Sequence, residues 1–145
     1  MQEQKQGGTL AALEPGDFET YSRTLSDADI QRFADVIESH HPIHESDEFN
    51  TPLGPGRLVH GLMLSALISR AITAFAVRHD LKGVMSATQS KFVAPVRAGD
   101  TVTVKLTYLG LVPGKPRLRC GTEVTNQHGK VVMVGEVQEH IFLED

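Results

Sequence analysis

The stretch that most constrains this chain is Leu58 to Phe75, LVHGLMLSALISRAITAF, which carries no charge before Arg70. Leu62, Leu64, Ala66, Leu67, Ile68, Ala71, Ile72 and Phe75 leave it almost no polar face. A helix that is apolar nearly all round is one that other elements wrap. Ser65, Ser69, Arg70 and Thr73 interrupt the run, and its flanks lack anchoring aromatics, so the pattern predicts a central core helix rather than a membrane span. Its start carries His60 and Gly61. A helix N-terminus leaves backbone N–H groups unpaired, and its dipole favours negative charge.

A chain of 145 residues fits one domain, and 40% hydrophobic residues can fill a core. The net charge of −4 argues against nucleic acid, which would select a basic stripe. The single cysteine, Cys120, excludes an internal disulfide and suits a reducing compartment, so a cytoplasmic location is expected. It falls in an alternating pattern and reads as a packed or surface thiol rather than a nucleophile. The first residues, MQEQKQGG, are polar and lack the basic start and apolar run of a secretion signal. Residues 1–8 are therefore expected to be frayed, and residues 9–145 to form the single domain.

Asp17 to Thr24 alternates loosely and is predicted as a first strand. Ser26 is the predicted cap of a helix with Asp27 and Asp29 in its first turn and Ile30, Phe33, Ala34 and Ile37 at helical spacing. That helix should end near Ser39, because Pro42 biases His41 away from helical backbone. Asp47 to Asn50 is read as a helical turn and TPLGPGR as a loop. Four alternating runs follow the central helix: Met85–Val93, Thr101–Leu109, Arg117–Asn126 and Lys130–Phe142. They are read as an antiparallel meander, with Gly135 marking a bulge or bend. One long helix wrapped by an antiparallel sheet is a two-layer α+β domain.

Two constellations could carry chemistry. Glu38-Ser39-His40-His41-Pro42-Ile43-His44 puts three histidines and a carboxylate within seven residues. It reads as a surface loop, a metal site or an acid/base site. Pro42 breaks the helix that would align His40 with His44, and no second ligand signature accompanies them, so no metal is expected. A histidine titrates near neutral pH, which suits acid/base work. Gly56-Arg57-Leu58-Val59-His60-Gly61 reads as a loop with a cap, or as an oxyanion site at the Gly61 amide. Phe92 to Asp100 is a strand, a proline corner and a turn.

Three stretches in order, FADVIESHHPIHESDEF (Phe33–Phe49), GRLVHGLMLS (Gly56–Ser65) and FVAPVRAGDTVT (Phe92–Thr103), resemble the MaoC-like, (R)-specific enoyl-CoA hydratase family of the hot-dog fold. The resemblance runs over nearly the whole chain from about Asp17. It implies a sheet wrapped around the central helix, a homodimer, and an acyl-CoA or acyl carrier protein thioester as substrate, with no other cofactor. In that family an aspartate and a histidine five residues apart add water across a 2,3 double bond. The histidine maps to His44, and the amide that holds the thioester oxygen maps to Gly61. The aspartate position is Ser39 here, and an asparagine position is His41. Glu38 is the adjacent carboxylate that could take the aspartate's place, and His40 or His41 could supply a second acid/base group.

The expected activity is hydration of a 2-enoyl thioester or the reverse dehydration. The alternatives are an isomerase or thioesterase on the same scaffold, or a non-catalytic acyl-thioester-binding partner subunit. His60, at or just before the helix start, is expected to cap the helix or bridge to the loop rather than to act in catalysis. Arg57 and Arg97 either meet CoA phosphates or face solvent, and Lys91, Lys105, Arg117 and Arg119 are read as a solvated face.

Overall fold

Two patterns, period 3.6 and period two, build the layers seen in the computed structural model, which describes residues 10–143. The expected frayed segment, residues 1–8, lies outside the described residues. Strand β1 (Phe18–Thr24) leads into helix α1 (Asp27–Ile37) through Ser26. The Ser26 hydroxyl accepts from the Asp29 amide, and the Asp29 carboxylate accepts from the Ser26 amide, each at 3.1 Å. Such a reciprocal cap is worth about 1 kcal/mol. Arg23 pins Asp29 at 2.5 Å, and this guanidinium holds the Asp29 carboxyl below the usual carboxylate range against the opposing effect of burial.

Helix α1 stops at Glu38, which adopts a left-handed φ of 53°, while the Ser39 amide reaches back to the Ala34 carbonyl at 3.0 Å. The next helical turn is α2 (Pro42–Glu45), not Asp47 to Asn50. Proline's fixed φ suits a first helical position, and that preference outweighs the polar run after it.

Helix α3 (Gly61–Arg78) crosses a sheet built from β1, β2 (Gly83–Phe92), β3 (Thr101–Leu111), β4 (Arg117–Thr125) and β5 (Val131–Ile141). All neighbours are antiparallel, in the order β1-β3-β4-β5-β2. Only β3, β4 and β5 form the expected meander. Strand β2 crosses to the far side of β5, and β1 takes the place beside β3. Alternation fixes which face a strand buries but not its neighbour, so the sequence pattern could not separate these orders.

Gly135 keeps regular register with Ser90 and Thr122 rather than marking a bulge. A Cβ there would lie 1.9 Å from the Gln89 carbonyl oxygen, so glycine is what admits the β2 backbone. The register shifts fall at Met85/Ala87, Tyr108/Gly110 and Val124/Thr125.

Met63, Leu64, Ile68, Ala71 and Phe75 of α3 join Val102, Val104, Leu106, Val124 and Val137 of the sheet in one buried cluster. The helix is not wrapped all round, however. Leu62 and Val77 are 67% and 76% exposed. Strand β2 is exposed over almost its full length. By length and hydropathy α3 would also pass as a membrane span; its buried face shows it serving as the core helix. Cys120 is a packed thiol, pushed up to about 12 by burial.

Candidate active site

The site assembles where α1 ends, α2 begins and α3 begins. The chain just before α3 runs as a short extended segment pinned on both sides. Leu58 bridges Arg97, the Val59 amide donates to Val96 O at 2.8 Å, and the Leu58 amide donates to Ile43 O at 2.9 Å. The last bond seats α2 against the helix start. Ring Nδ1 of His44 then donates to Leu58 O at 2.7 Å, because a carbonyl oxygen only accepts. In the neutral imidazole this contact places the proton on Nδ1 and the lone pair on Nε2.

His60 is fixed in the opposite sense. Its Nε2 donates to Ser39 O at 3.2 Å, and its Nδ1 is buried without a partner. The two imidazoles stack with centroids 3.6 Å apart and 16° between their planes. Phe33 of α1 packs edge-on against the other side of His60, at 5.3 Å. Burial pushes the His60 pKa down, against the raising effect of the Ser39 carbonyl, and neighbouring His44 pushes it down further. Ser39, His60, His44 and Leu58 thus form one continuous chain of contacts, and Gly61 follows His60 directly.

His60 sits at the N-cap position of α3, yet no side chain caps this helix. The Gly61 amide is therefore at the open, positive end of an 18-residue helix. A Cβ on Gly61 would lie 3.2 Å from the Phe92 ring, so glycine lets that ring lie against the helix start. A cavity of about 420 Å³ borders Gly61 and Leu58, walled by Leu53, Leu64, Phe92 and Pro95. It is apolar and of ligand size. A larger cavity lies at the other end of α3, and neither cavity counts His44 or His60 among its lining residues.

The remaining candidates serve other ends. Glu38 is exposed at its left-handed position, and its charge is felt by His40 rather than at the stacked pair. His41 caps α2: its Nδ1 accepts from the Ile43 amide at 3.1 Å, and its ring meets Phe49 edge-on. His40 pairs with Glu45 at 2.5 Å, which raises its pKa. The three histidines of the HHPIH run thus turn to three different partners, and among the described residues no group of three or more His, Cys, Asp or Glu is placed to hold a metal. Arg57 forms ion pairs with Asp27 at 3.4 Å and Asp47 at 3.2 Å. Arg97 donates to the Gly56 and Leu53 carbonyls and so clamps the proline–glycine loop.

Sequence reasoning missed the two carbonyls, Leu58 O and Ser39 O, that set both tautomers. Every residue has a carbonyl, so no side-chain pattern marks them. It also missed the stack, which joins positions 16 apart in the chain.

Residues 13–131 match the MaoC-like domain family. The chain is 35% identical over 126 residues to the (R)-specific enoyl-CoA hydratase of Rhodospirillum rubrum, covering 86% of this chain and 85% of that protein. It is 36% identical over 129 residues to the 3-hydroxybutyryl-CoA dehydratase of Methylorubrum extorquens, covering 86% and 78%. Among solved structures, the R-hydratase PhaJ1 of Pseudomonas aeruginosa superposes with a TM-score of 0.79 at 31% identity, over 93% of this chain and 86% of that one.

Proposed function

The chain belongs to the MaoC-like domain family, and from that premise we propose that it hydrates 2-enoyl thioesters of CoA or acyl carrier protein, or dehydrates the 3-hydroxyacyl thioesters. The observation that carries this reading is the His44 tautomer. A ring whose Nδ1–H is committed to Leu58 O offers Nε2 as a base.

In the proposed reaction His44 Nε2 takes a proton from water as the water oxygen bonds to C3. The electron pair of the 2,3 double bond moves toward the thioester oxygen, and the Gly61 amide and the α3 dipole stabilise the enolate charge there. The His44 imidazolium then returns its proton to C2, so the net change is addition of one water. Ser39 stands where the family resemblance places an aspartate. Its hydroxyl holds the water, and its carbonyl orients His60. One relative is named as an enoyl-CoA hydratase and another as a 3-hydroxybutyryl-CoA dehydratase, which supports this reaction class.

A second copy of the chain completes the assembly. Val84, Met85 and Phe92 on edge strand β2, with Leu62 and Val77 on α3, leave an apolar margin that an antiparallel partner edge would cover. A second functional reading, an acyl-thioester-binding subunit without catalysis, is favoured only by the absence of a carboxylate at Ser39.

The test is loss of enoyl absorbance when pure protein meets crotonyl-CoA, with His44→Ala as control. Hydration that disappears in His44→Ala is expected. Saturable thioester binding without hydration would transfer the assignment to the binding reading.

A further inference from the structure

Strand β5 buries Val137 and Ile141 on the face that meets α3, at 1% and 5% exposure. Glu139 lies midway between them and so points to the same face. Its neighbours across the sheet are Leu118 and Met85. It lines the larger cavity, about 570 Å³, together with Ile72, Phe75, Leu118, Cys120 and Ile141. Among the described residues no hydrogen bond or ion pair reaches its carboxylate. The nearby Lys82 lines the same cavity and has a partner of its own. Burial raises the Glu139 pKa, and its charge helps raise the Cys120 thiol. Glu139 is half-buried, so its carboxyl is open to a polar partner that enters the cavity.

The place of this cavity says what that partner is. The start of α3 meets β2 where Gly61 faces Phe92, beside the smaller cavity. Ser65 of α3 donates to Ser90 of β2 at 3.0 Å. Beyond that bridge lies the larger cavity, lined by residues of Ser69–Val77 on α3 and Gly83–Met85 at the start of β2. Ser69 is eight residues past Gly61, about 12 Å along the helix axis. A medium-length acyl chain on a thioester held at the Gly61 amide and running along α3 past Ser65 has the reach to put its far end in the cavity. A hydroxyl group is the matching chemistry at that end, because it donates to an ionised carboxylate and accepts from a protonated one.

We propose that Glu139 makes this cavity selective for an acyl chain bearing a hydroxyl group toward its far end. This rests on the thioester reading above and names a substrate class within it. The experiment compares a medium-chain 2-enoyl-CoA with its ω-hydroxy analogue, in the wild type, Glu139→Leu and Glu139→Gln. Both kcat/KM and calorimetric affinity are measured. The wild type is expected to favour the hydroxylated chain about tenfold or more. Glu139→Leu should reverse the order, Glu139→Gln should keep part of the preference, and hydration of crotonyl-CoA, too short to reach the cavity, should stay unchanged in both. Equal affinities of the wild type for the two chains, or a ratio that Glu139→Leu leaves where it was, overturns the proposal. The calorimetric ratio decides the matter even if no thioester is hydrated, so failure of the hydratase reading and failure of this inference give different results.

Discussion

His40 and His41 on one side, and His44 and His60 on the other, show what position does to a single side-chain chemistry. His40 and His41 are exposed. One binds Glu45, which raises its pKa, and the other caps a four-residue helix. Both maintain local backbone geometry. The second pair is turned inward, and each ring has one nitrogen committed to a backbone carbonyl. The exposed pair serves the fold of the loop. The inward pair has a defined tautomer, a free nitrogen and a neighbouring helix N-terminus, which are the requirements of proton transfer beside a developing oxyanion.

The largest expected effect separates the pairs directly. His44→Ala should lower kcat for crotonyl-CoA hydration by about 10²–10⁴-fold, the usual contribution of a positioned acid/base group. Circular dichroism should remain that of the wild type, because His44 is only partly buried. Near-full activity in His44→Ala would place the chemistry elsewhere.

How much of this was legible beforehand follows from which interactions are local. The cap at Ser26 and its box with Asp29 are three residues apart and could be read from the chain. The strands were legible from alternation to within about two residues, and Gly61 at the start of α3 from the apolar run that follows it. The position of β2 was not legible, because no period records which strand is a neighbour. The open face of α3 was not legible either, since an exposed apolar residue such as Leu62 or Val77 looks the same in sequence as one in the core. At the site, sequence could nominate His44 and His60 but not their stacking, which depends on the Leu58–Ile43 and Ser39–His60 hydrogen bonds.

The next effect tests whether His60 positions His44. His60→Leu should reduce kcat by about tenfold, or about 1.4 kcal/mol in the barrier. It should also change stability against pH, which a packing role alone would not do. His60 has a folded pKa below its ordinary value, because burial disfavours the charged ring. As pH falls below about 6.5, the unfolded chain binds a proton at this position that the folded chain does not. His60 therefore costs the wild type stability across that window, down to its folded pKa. His40 acts with the opposite sign, since Glu45 raises its pKa, and it is common to both proteins. Chemical denaturation from pH 7.5 to 5 should thus show a flatter acid limb for His60→Leu. Identical slopes would show that His60 titrates freely in the folded state.

A smaller effect is expected at Glu38 and Ser39, where the chain turns from α1 toward the site. Glu38 holds a left-handed φ of 53°, a conformation that costs a non-glycine residue roughly 1–2 kcal/mol. Glu38→Gly should raise stability by about 1 kcal/mol, and both it and Glu38→Gln should leave hydration near wild type. Ser39→Ala should cost more activity than either, because the proposed water loses its hydroxyl partner. The reverse ranking, with Glu38→Gln the damaging change, would make Glu38 the carboxylate that replaces the aspartate.

The smallest effect is expected at His41, and it is the sharpest probe of the contrast between the pairs. Its Nδ1 accepts from the Ile43 amide just as a shorter polar side chain would at a helix N-cap. His41→Asn should therefore preserve both stability and turnover. His41→Ala should lose at most about 1 kcal/mol, a fall in Tm of roughly 2–4 °C for a domain of this size, with kcat changed less than about threefold. The loss is confined because α2 is held independently by Ile43 O, which accepts from Leu58, and by the His44 ring. If His41→Ala instead abolished hydration while His41→Asn did not, the cap itself would be what aims His44, and the exposed pair would belong to the catalytic geometry through the backbone.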